Sequence, residues 1–536
     1  MRLILGLVVS LFCLRYTDAA QNSISEIYLG SREGDPASIV ENVSTIHGDY
    51  TEVEVDLAVP APDSLILSRF YSSKDVLQTA TLGGWRFNPH CFLTMQKDPR
   101  EKNYTTAEGK FECMYVYVGN PDGSILTYIG WKNTSTQKRV LFKIDAESET
   151  IGLANTAKGN ISSWTNPKNN ELYFNPQTNS FELVLCSGGK RIYVKHPSID
   201  LYLLSYEVLP SGNKIFYEFN EQGQLAVIKE MNNAEKKVLG WIKIQYDNSI
   251  HIETSDGKTV DYHFQQNSGV PLLTEVDRSD KSSLHYQYQL VDNHALLLRK
   301  ELPEGRFVQI DYYTDKASKY KVKSVTTPAG LSGTTSTQFA YENDYTEVYG
   351  PGNRKVLHRF DQNFQLVAIE HYIDGLLYRI DKKYWGRKKN AGNLMSTAVE
   401  DENENIFYCK SFIYDDKDKG NIIEEREYGN LTGNDRNPIV LDEDGIPASN
   451  QEPHLKTYSY FSTDKEDVVV QKDSKGSGIE FIYKKGTNLL LRKACLKETT
   501  RKKKWFYEYN SDGVLVRVQV DDGCLDDPKS TSDLAP

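Results

Sequence analysis

A short unit near the C-terminus constrains the fold most, because it recurs. Tyr507 and Tyr509 stand two residues apart, a spacing that puts both rings on one face of a strand. Asn510, Ser511, Asp512 and Gly513 follow as turn chemistry, with glycine free to take positive φ. Leu515 and Val518 then open a returning apolar strand. The unit reads as a hairpin of aromatic strand, polar turn and aliphatic strand. Tyr217, Phe219, Asn220, Gly223, Leu225 and Ile228 repeat it residue for residue. A looser copy runs through Phe360, Asp361, Leu366 and Ile369, with Phe364 in the glycine position. A bulky residue at positive φ is strained, so this copy is expected to turn differently.

A second regularity overlies the first. Gly212 is followed by Tyr217 and Phe219, Gly257 by Tyr262 and Phe264, and Gly305 by Ile310 and Tyr312, always at the same two offsets. Turns at Pro303 to Gly305, Pro328 to Gly330 and Pro351 to Gly352 punctuate the run at roughly 25-residue intervals, a period typical of stacked supersecondary units. Each such unit cannot bury its apolar face alone, so neighbours stack. The 34 Tyr of the 536 residues suit half-wet pleated surfaces, where the ring packs and the hydroxyl finds a partner. The pattern predicts an all-β protein: stacked antiparallel hairpins over 206–525 in a curved sheet or partial β-shell, after an N-terminal β domain over 21–205. Asn393 to Asn405 is the stretch that suits a short helix.

The chain ends have their own chemistry. Arg2, the apolar run Leu3 to Leu14 and Ala19-Ala20 read as a secretory signal peptide over 1–20. No later stretch approaches the roughly 20 apolar residues of a transmembrane helix. The expected location is secreted, periplasmic or at the cell surface. Residues 526–536 form a polar tail with a disordered composition, and Asn434 to His454, carrying Pro438, Pro447 and Pro453, reads as an exposed loop. Beyond Cys13 in the leader stand Cys91, Cys113, Cys186, Cys409, Cys495 and Cys524, with no C-x-x-C pair to hold zinc. Export permits disulfides. Two readings stay open, a bridge between Cys91 and Cys113 or buried free thiols. Sequons at Asn42, Asn103, Asn133, Asn160 and Asn430 would carry glycans on a eukaryotic export route.

Near the start of the mature chain, Val53, Val55, Leu57 and Val59 alternate with Glu52, Glu54 and Asp56, which predicts a strand with its apolar face buried. Pro60 and Pro62 end it. Leu65 to Tyr71 follows as a second strand carrying Ser68, Arg69, Tyr71 and then Ser73, and Gly83, Gly84 and Trp85 come next. This ordered set resembles the N-terminal domain of bacterial RHS/YD-repeat proteins. That family shows a strand ending in a Pro-rich turn, an S-R-x-Y-x-S strand and a G-x-G-W segment. Ser68, Arg69, Tyr71 and Ser73 fit the second element; Gly83, Gly84 and Trp85 fit the third with one glycine displaced. The hairpin units resemble the family's tyrosine-aspartate repeats, with Asn220 and Asn510 where Asp is usual. The resemblance spans Gly48 to Gly523. It implies a bacterial protein, in which the sequons are chance matches, and a continuous spiral of strands. Many family members carry a C-terminal toxic domain after a Pro/Asp/Gly-bearing core-closing motif, of which no copy is recognisable here.

The search for chemistry returns mostly negatives. The ten His form no H-E-x-x-H pair, and no G-x-S-x-G or G-x-G-x-x-G motif is present. Gly188-Gly189-Lys190 lacks phosphate-loop spacing, and Asp415 to Gly420 lacks the closing Glu of a calcium loop. Arg501 to Lys504 before Trp505 reads as a solvated hairpin end. No metal or cofactor is expected, and the net charge of −11 disfavours nucleic acid. The preferred function is a non-enzymatic binding or enclosing role toward a glycan or protein ligand. The alternatives are an extracellular polysaccharide hydrolase using a carboxylate pair, and the delivery-shell remnant of a polymorphic toxin. Two carboxylates facing across a deep groove favour the hydrolase; acids spread along outer strand faces favour the binder.

Overall fold

The computed structural model describes residues 36–521, apart from 74–82, 98–103, 107–108, 122–124, 134–139, 143–169, 186–187, 268, 292–293, 316–317, 331–332, 363–364, 388–389, 391–392, 416–420, 430–437, 449–452, 461–467 and 498–499. The leader, the polar tail, Cys186, Cys524, Asn103, Asn160 and Asn430, and parts of the 434–454 loop lie outside the described residues.

Among the described residues there is no α-helix, and the strands fall into one very large sheet and two small ones. From Val140–Phe142 to Leu515–Asp521 each strand pairs antiparallel with the next in sequence. This run is a stack of hairpins that does not close into a barrel. The strand Tyr202–Val208 is a fork: its start pairs with Phe92 and Leu93, its end with Lys214 to Phe216, and its other side with Lys190–Lys195. The expected helix around 393–405 is absent. Leu394–Glu400 is a strand with every second residue buried, because Leu394, Ser396 and Ala398 share one face of the pleat.

The turns explain why the units recur. The Asn220 side-chain oxygen accepts the backbone N–H groups of Gln222 (3.1 Å) and Gln224 (2.9 Å). Asn510 does the same with Asp512 and Val514, both at 3.0 Å, and Asp473 with Lys475 and Ser477. Gly223, Gly513 and Gly476 then take φ of 76°, 82° and 77°. The Asp361 copy is anchored by the same pair of bonds, with Asp361 N–H on the Gln365 carbonyl and Gln365 N–H on the Asp361 carboxylate. The anchoring residues thus match the other units, while Phe364, on which the expectation of a different turn rests, lies outside the described residues. The anchoring carboxylate holds the frame even where glycine is missing, as at Asp401, where Glu404 sits at φ 62°.

Several of the aromatics before the turns link their unit to the preceding one. A bulge falls just before Tyr312, Tyr414, Tyr460, Tyr483 and Tyr509, opposite Val322, Ile422, Val468, Leu490 and Leu515. The hydroxyl then donates to a carbonyl one unit back: Tyr246 to Leu225 (2.8 Å), Tyr341 to Val322 (2.8 Å), Tyr414 to Leu394 (2.6 Å) and Tyr460 to Ile422 (2.7 Å). Trp385 substitutes its indole N–H, donating to Leu366 at 2.9 Å. One contact satisfies both a phenol and a backbone carbonyl that packing has removed from water.

The stack coils far enough for its last described turns to meet those between Pro210 and Lys237. Asn213 donates to the Asp512 carbonyl (3.0 Å), Asn488 N–H to the Pro210 carbonyl (3.0 Å), and Lys237 pairs with the Asp512 carboxylate. These contacts join turn tips rather than strand edges. Burial falls toward the end of the stack. Leu225 and Ile228 are buried in the first unit, whereas their counterparts Leu515 and Val518 are half-buried and exposed. Cys91 and Cys409 are buried free thiols. The register Leu93↔Val118 to Lys97↔Met114 puts Cys91 and Cys113 beyond opposite ends of their strand pair, which rules out the bridge between them.

Candidate functional site

Three strands near the N-terminus, Thr51–Val59, Leu65–Ser72 and Trp85–Phe87, form a small sheet that packs against the stack. Its first strand corrects the expected alternation. Glu52 and Asp56 are buried, while Val53 and Val55 are 46% and 54% exposed. The acids turn inward because cations wait there: Lys300 pairs with both Glu52 and Glu54, and Arg278 approaches Asp56 at 3.2 Å. The register slips around Asp56, and beyond that bulge the apolar residues Leu57 and Val59 face in.

The residues singled out in this region converge. Arg69 is fully buried and forks onto Asp56, which also accepts the Tyr262 hydroxyl. Its guanidinium lies 4.4 Å from the ring centre of Trp85, 5.1 Å from Tyr262 and 5.6 Å from Tyr286, a cation enclosed by aromatic faces. Burial disfavours its charge, but Asp56 outweighs that and holds it protonated. Trp85 donates to the Tyr288 hydroxyl (2.8 Å). Tyr71 donates to the Ala295 carbonyl and accepts from Leu297 N–H. Ser68 binds the Asn88 side chain. Gly84 sits at φ 98°, where a Cβ would come within 2.6 Å of the Tyr71 ring. The site locks the small sheet onto the stack.

Tyr217 of the first repeat takes part in a second buried cluster. Its hydroxyl donates to Glu207 (2.7 Å), which also meets His90 (3.2 Å) and Arg191 (3.3 Å). Burial pushes the Glu207 carboxyl up, yet Arg191 and the bonds from His90 and Tyr217 hold it well below the usual range. Burial depresses His90 and raises the Cys91 thiol, so the adjacent pair is no activated nucleophile. A third cluster sets Glu230 beside Asp63, with Asn213 donating to both (3.2 and 2.9 Å). Burial, then the Asp63 charge, pushes Glu230 to about 7.

The remaining repeat residues keep structural company. Phe219 packs on the core, Asn220 and Asn510 anchor their turns, Leu225 accepts from Tyr246, and Tyr507, Tyr509 and Leu515 are half-buried. Asp56, Lys300, Arg278, Glu207 and Arg191 were not singled out by sequence. Arg69 inside an apolar strand was the signal for Asp56, since a buried cation needs a buried acid. A groove of about 490 Å³ between neighbouring turns is lined by Lys281, Ser283, His285, Arg299, Glu301 and Arg306. Among the described residues no group of His, Cys and acids is arranged to hold a metal, and no helix is long and apolar enough to cross a membrane.

No family model and no curated protein matches this chain. Among solved structures it is similar to a crystal structure of TcdB2-TccC3-Cdc42, at 9% identity and TM-score 0.30, over 90% of this chain and 32% of that one. It is also similar to TcdB2-TccC3-TEV, at 11% identity and TM-score 0.25, over 85% of this chain and 26% of that one. A porin-like protein from Bacteroides uniformis aligns with 49% of this chain at TM-score 0.16. The chain thus spans about a third or less of the length of the first two, and none of these scores carries a function to it.

Proposed function

We propose that this chain is a secreted coiled stack of the RHS/YD-repeat kind that binds or encloses a glycan or protein ligand without transforming it. On this reading, 1–20 is the leader, 21–205 the N-terminal β domain, 206–525 the repeat array and 526–536 the tail. The observation that carries the non-enzymatic reading is the disposition of the acids. On the outer strands they sit in cross-strand pairs: Asp261 with His251 (2.7 Å), Glu347 with Lys355 (3.2 Å), Asp381 with His371 (2.9 Å) and Glu508 with Arg517 (3.3 Å). Those buried beneath the small sheet are likewise held by Arg or Lys. The groove between Lys281 and Arg306 offers hydroxyl, cationic and imidazole groups together, from Ser283, Arg299 and His285.

The test is a panel of soluble polysaccharides assayed for binding and for new reducing ends. Binding without product, weakened by Arg306→Ala, is the expected result. Release of new ends that is lost on Glu230→Gln would establish the hydrolase instead. Export is tested separately: N-terminal sequencing of secreted protein should begin near Ala20 or Gln21, and a retained Met1 would refute it.

A further inference from the structure

The charges that line the groove between Lys281 and Arg306 are of two kinds. Those on the strands are already matched within the chain: Arg299 donates to Glu301 (2.9 Å), and His285 lies 3.6 Å from Glu275. Those on the turns are not. Lys281 and Arg306 stand exposed on neighbouring turns. Arg306 donates its Nε–H to the Pro303 carbonyl (3.2 Å), and among the described residues no acid pairs with either cation. Asp280 and Glu304 belong to the same turns but not to the lining, and Asp280 accepts from Ser282 N–H (2.9 Å). The uncommitted charge of the groove is therefore positive, in a chain whose net charge is −11.

Resting on the ligand-binding reading above, we propose that this groove selects a polyanionic glycan, a chain of sugars that carry carboxylate or sulfate groups. One turn joins Val270–Arg278 to Ser283–Val291, the other His294–Glu301 to Phe307–Tyr312, and the middle strands pair with each other. The turn tips thus stand two strand spacings apart, about 10 Å. Cations at that separation suit charges that recur along a polymer better than the single charge of a sugar acid. The planar fork of Arg306 matches a carboxylate, and Lys281 supplies a point charge. The Ser283 hydroxyl donates to Asp277 and can still accept from a sugar hydroxyl. At 0.15 M salt the acids of the rest of the chain are screened beyond about 8 Å, so a ligand in the groove feels chiefly these two cations.

The test is titration calorimetry of the full-length protein with polygalacturonate, dextran sulfate and neutral dextran. An anionic polymer should bind at least tenfold more tightly than dextran, and monomeric galacturonate should bind far more weakly than its polymer. Binding of only one anionic polymer would assign the charged group that is recognised. Lys281→Gln and Arg306→Gln should each weaken anionic binding at least threefold, and together at least tenfold, with the circular dichroism spectrum unchanged. Arg517→Gln, at an exposed cation on another strand, should change nothing. Equal binding of all three polymers would overturn the proposal and uphold the binding role. Binding of none would overturn it too, and the wider panel above then decides the binding role by itself. Anionic binding that survives the double substitution, or a thymidine homopolymer bound as tightly as polygalacturonate, would also overturn it.

Discussion

The Tyr414 hydroxyl lies 2.6 Å from the carbonyl oxygen of Leu394, one hairpin earlier in the chain. Both residues are buried, so neither group has water as a substitute partner. Tyr414→Phe removes the donor, keeps the ring, and strands the carbonyl. It should cost about 1–3 kcal/mol in urea unfolding, the range for an orphaned buried acceptor. Tyr349→Phe, at a hydroxyl that meets Glu347 in the open, should cost less than about 0.5 kcal/mol.

Equivalent repeat positions should differ by their place in the stack. Ile228 is 1% exposed and Val518 is 42% exposed, although both follow the same turn signature. Ile228→Ala should cost about 2–5 kcal/mol through the cavity it leaves. Val518→Ala, with solvent already present, should cost under about 1 kcal/mol. Equal effects would show that the stack is packed uniformly to its end.

Arg69→Ala should destabilise by about 3–5 kcal/mol, because it leaves Asp56 buried without its main counter-charge. Arg69→Ala combined with Asp56→Asn should recover part of that loss. Thermal unfolding of the two proteins at low and high salt checks this, and burial predicts little salt dependence.

Glu230 gives the fold a pH signature opposite to that of most acids. Its carboxyl titrates near 7 instead of its ordinary 4.5. Between those values the folded chain holds a proton that the unfolded chain has released. The stability is therefore fully present below about pH 4.5 and is lost as pH rises through 7. Glu230→Gln should flatten this dependence and raise the melting temperature above pH 7, measured by scanning calorimetry at pH 5 to 8.

The turn glycines separate backbone strain from crowding. Gly223 and Gly257 take φ of 76° and 82°, but a Cβ at Gly223 would come within 2.3 Å of the Ile199 side chain while one at Gly257 would meet nothing within 4 Å. Gly257→Ala should cost about 1 kcal/mol, the strain of positive φ alone. Gly223→Ala should cost more, as equilibrium unfolding would show.

Much of this architecture was legible because hairpins write themselves locally. The Asn220 and Asn510 turns, their glycines and the alternating aromatics all act within about ten residues of chain. What sequence could not show was the destination of each face. Val53 and Val55 looked like core and proved exposed, since the decisive partner of Glu52 is Lys300, far along the chain. The Leu394–Glu400 strand was hidden for a related reason: short polar and apolar residues suit either conformation, and only neighbouring strands decide. Arg69 was found by its motif, but its cage of Tyr262 and Tyr286 comes from strands beyond any local window.

The contact between Asn213 and Asp512 sets a rule on length. In an open solenoid a unit can be gained or dropped at small cost, since each touches only its neighbours. Here the far end must arrive where Asn213 and Lys237 can take hold of Asp512. One additional hairpin would carry Asp512 past its mates, as an extra tooth spoils a ring gear. The number of units between Asn213 and Asp512 is thus held by that contact, and duplication of a unit inside this span, the easiest genetic step for a repeat, is the change it is least able to absorb.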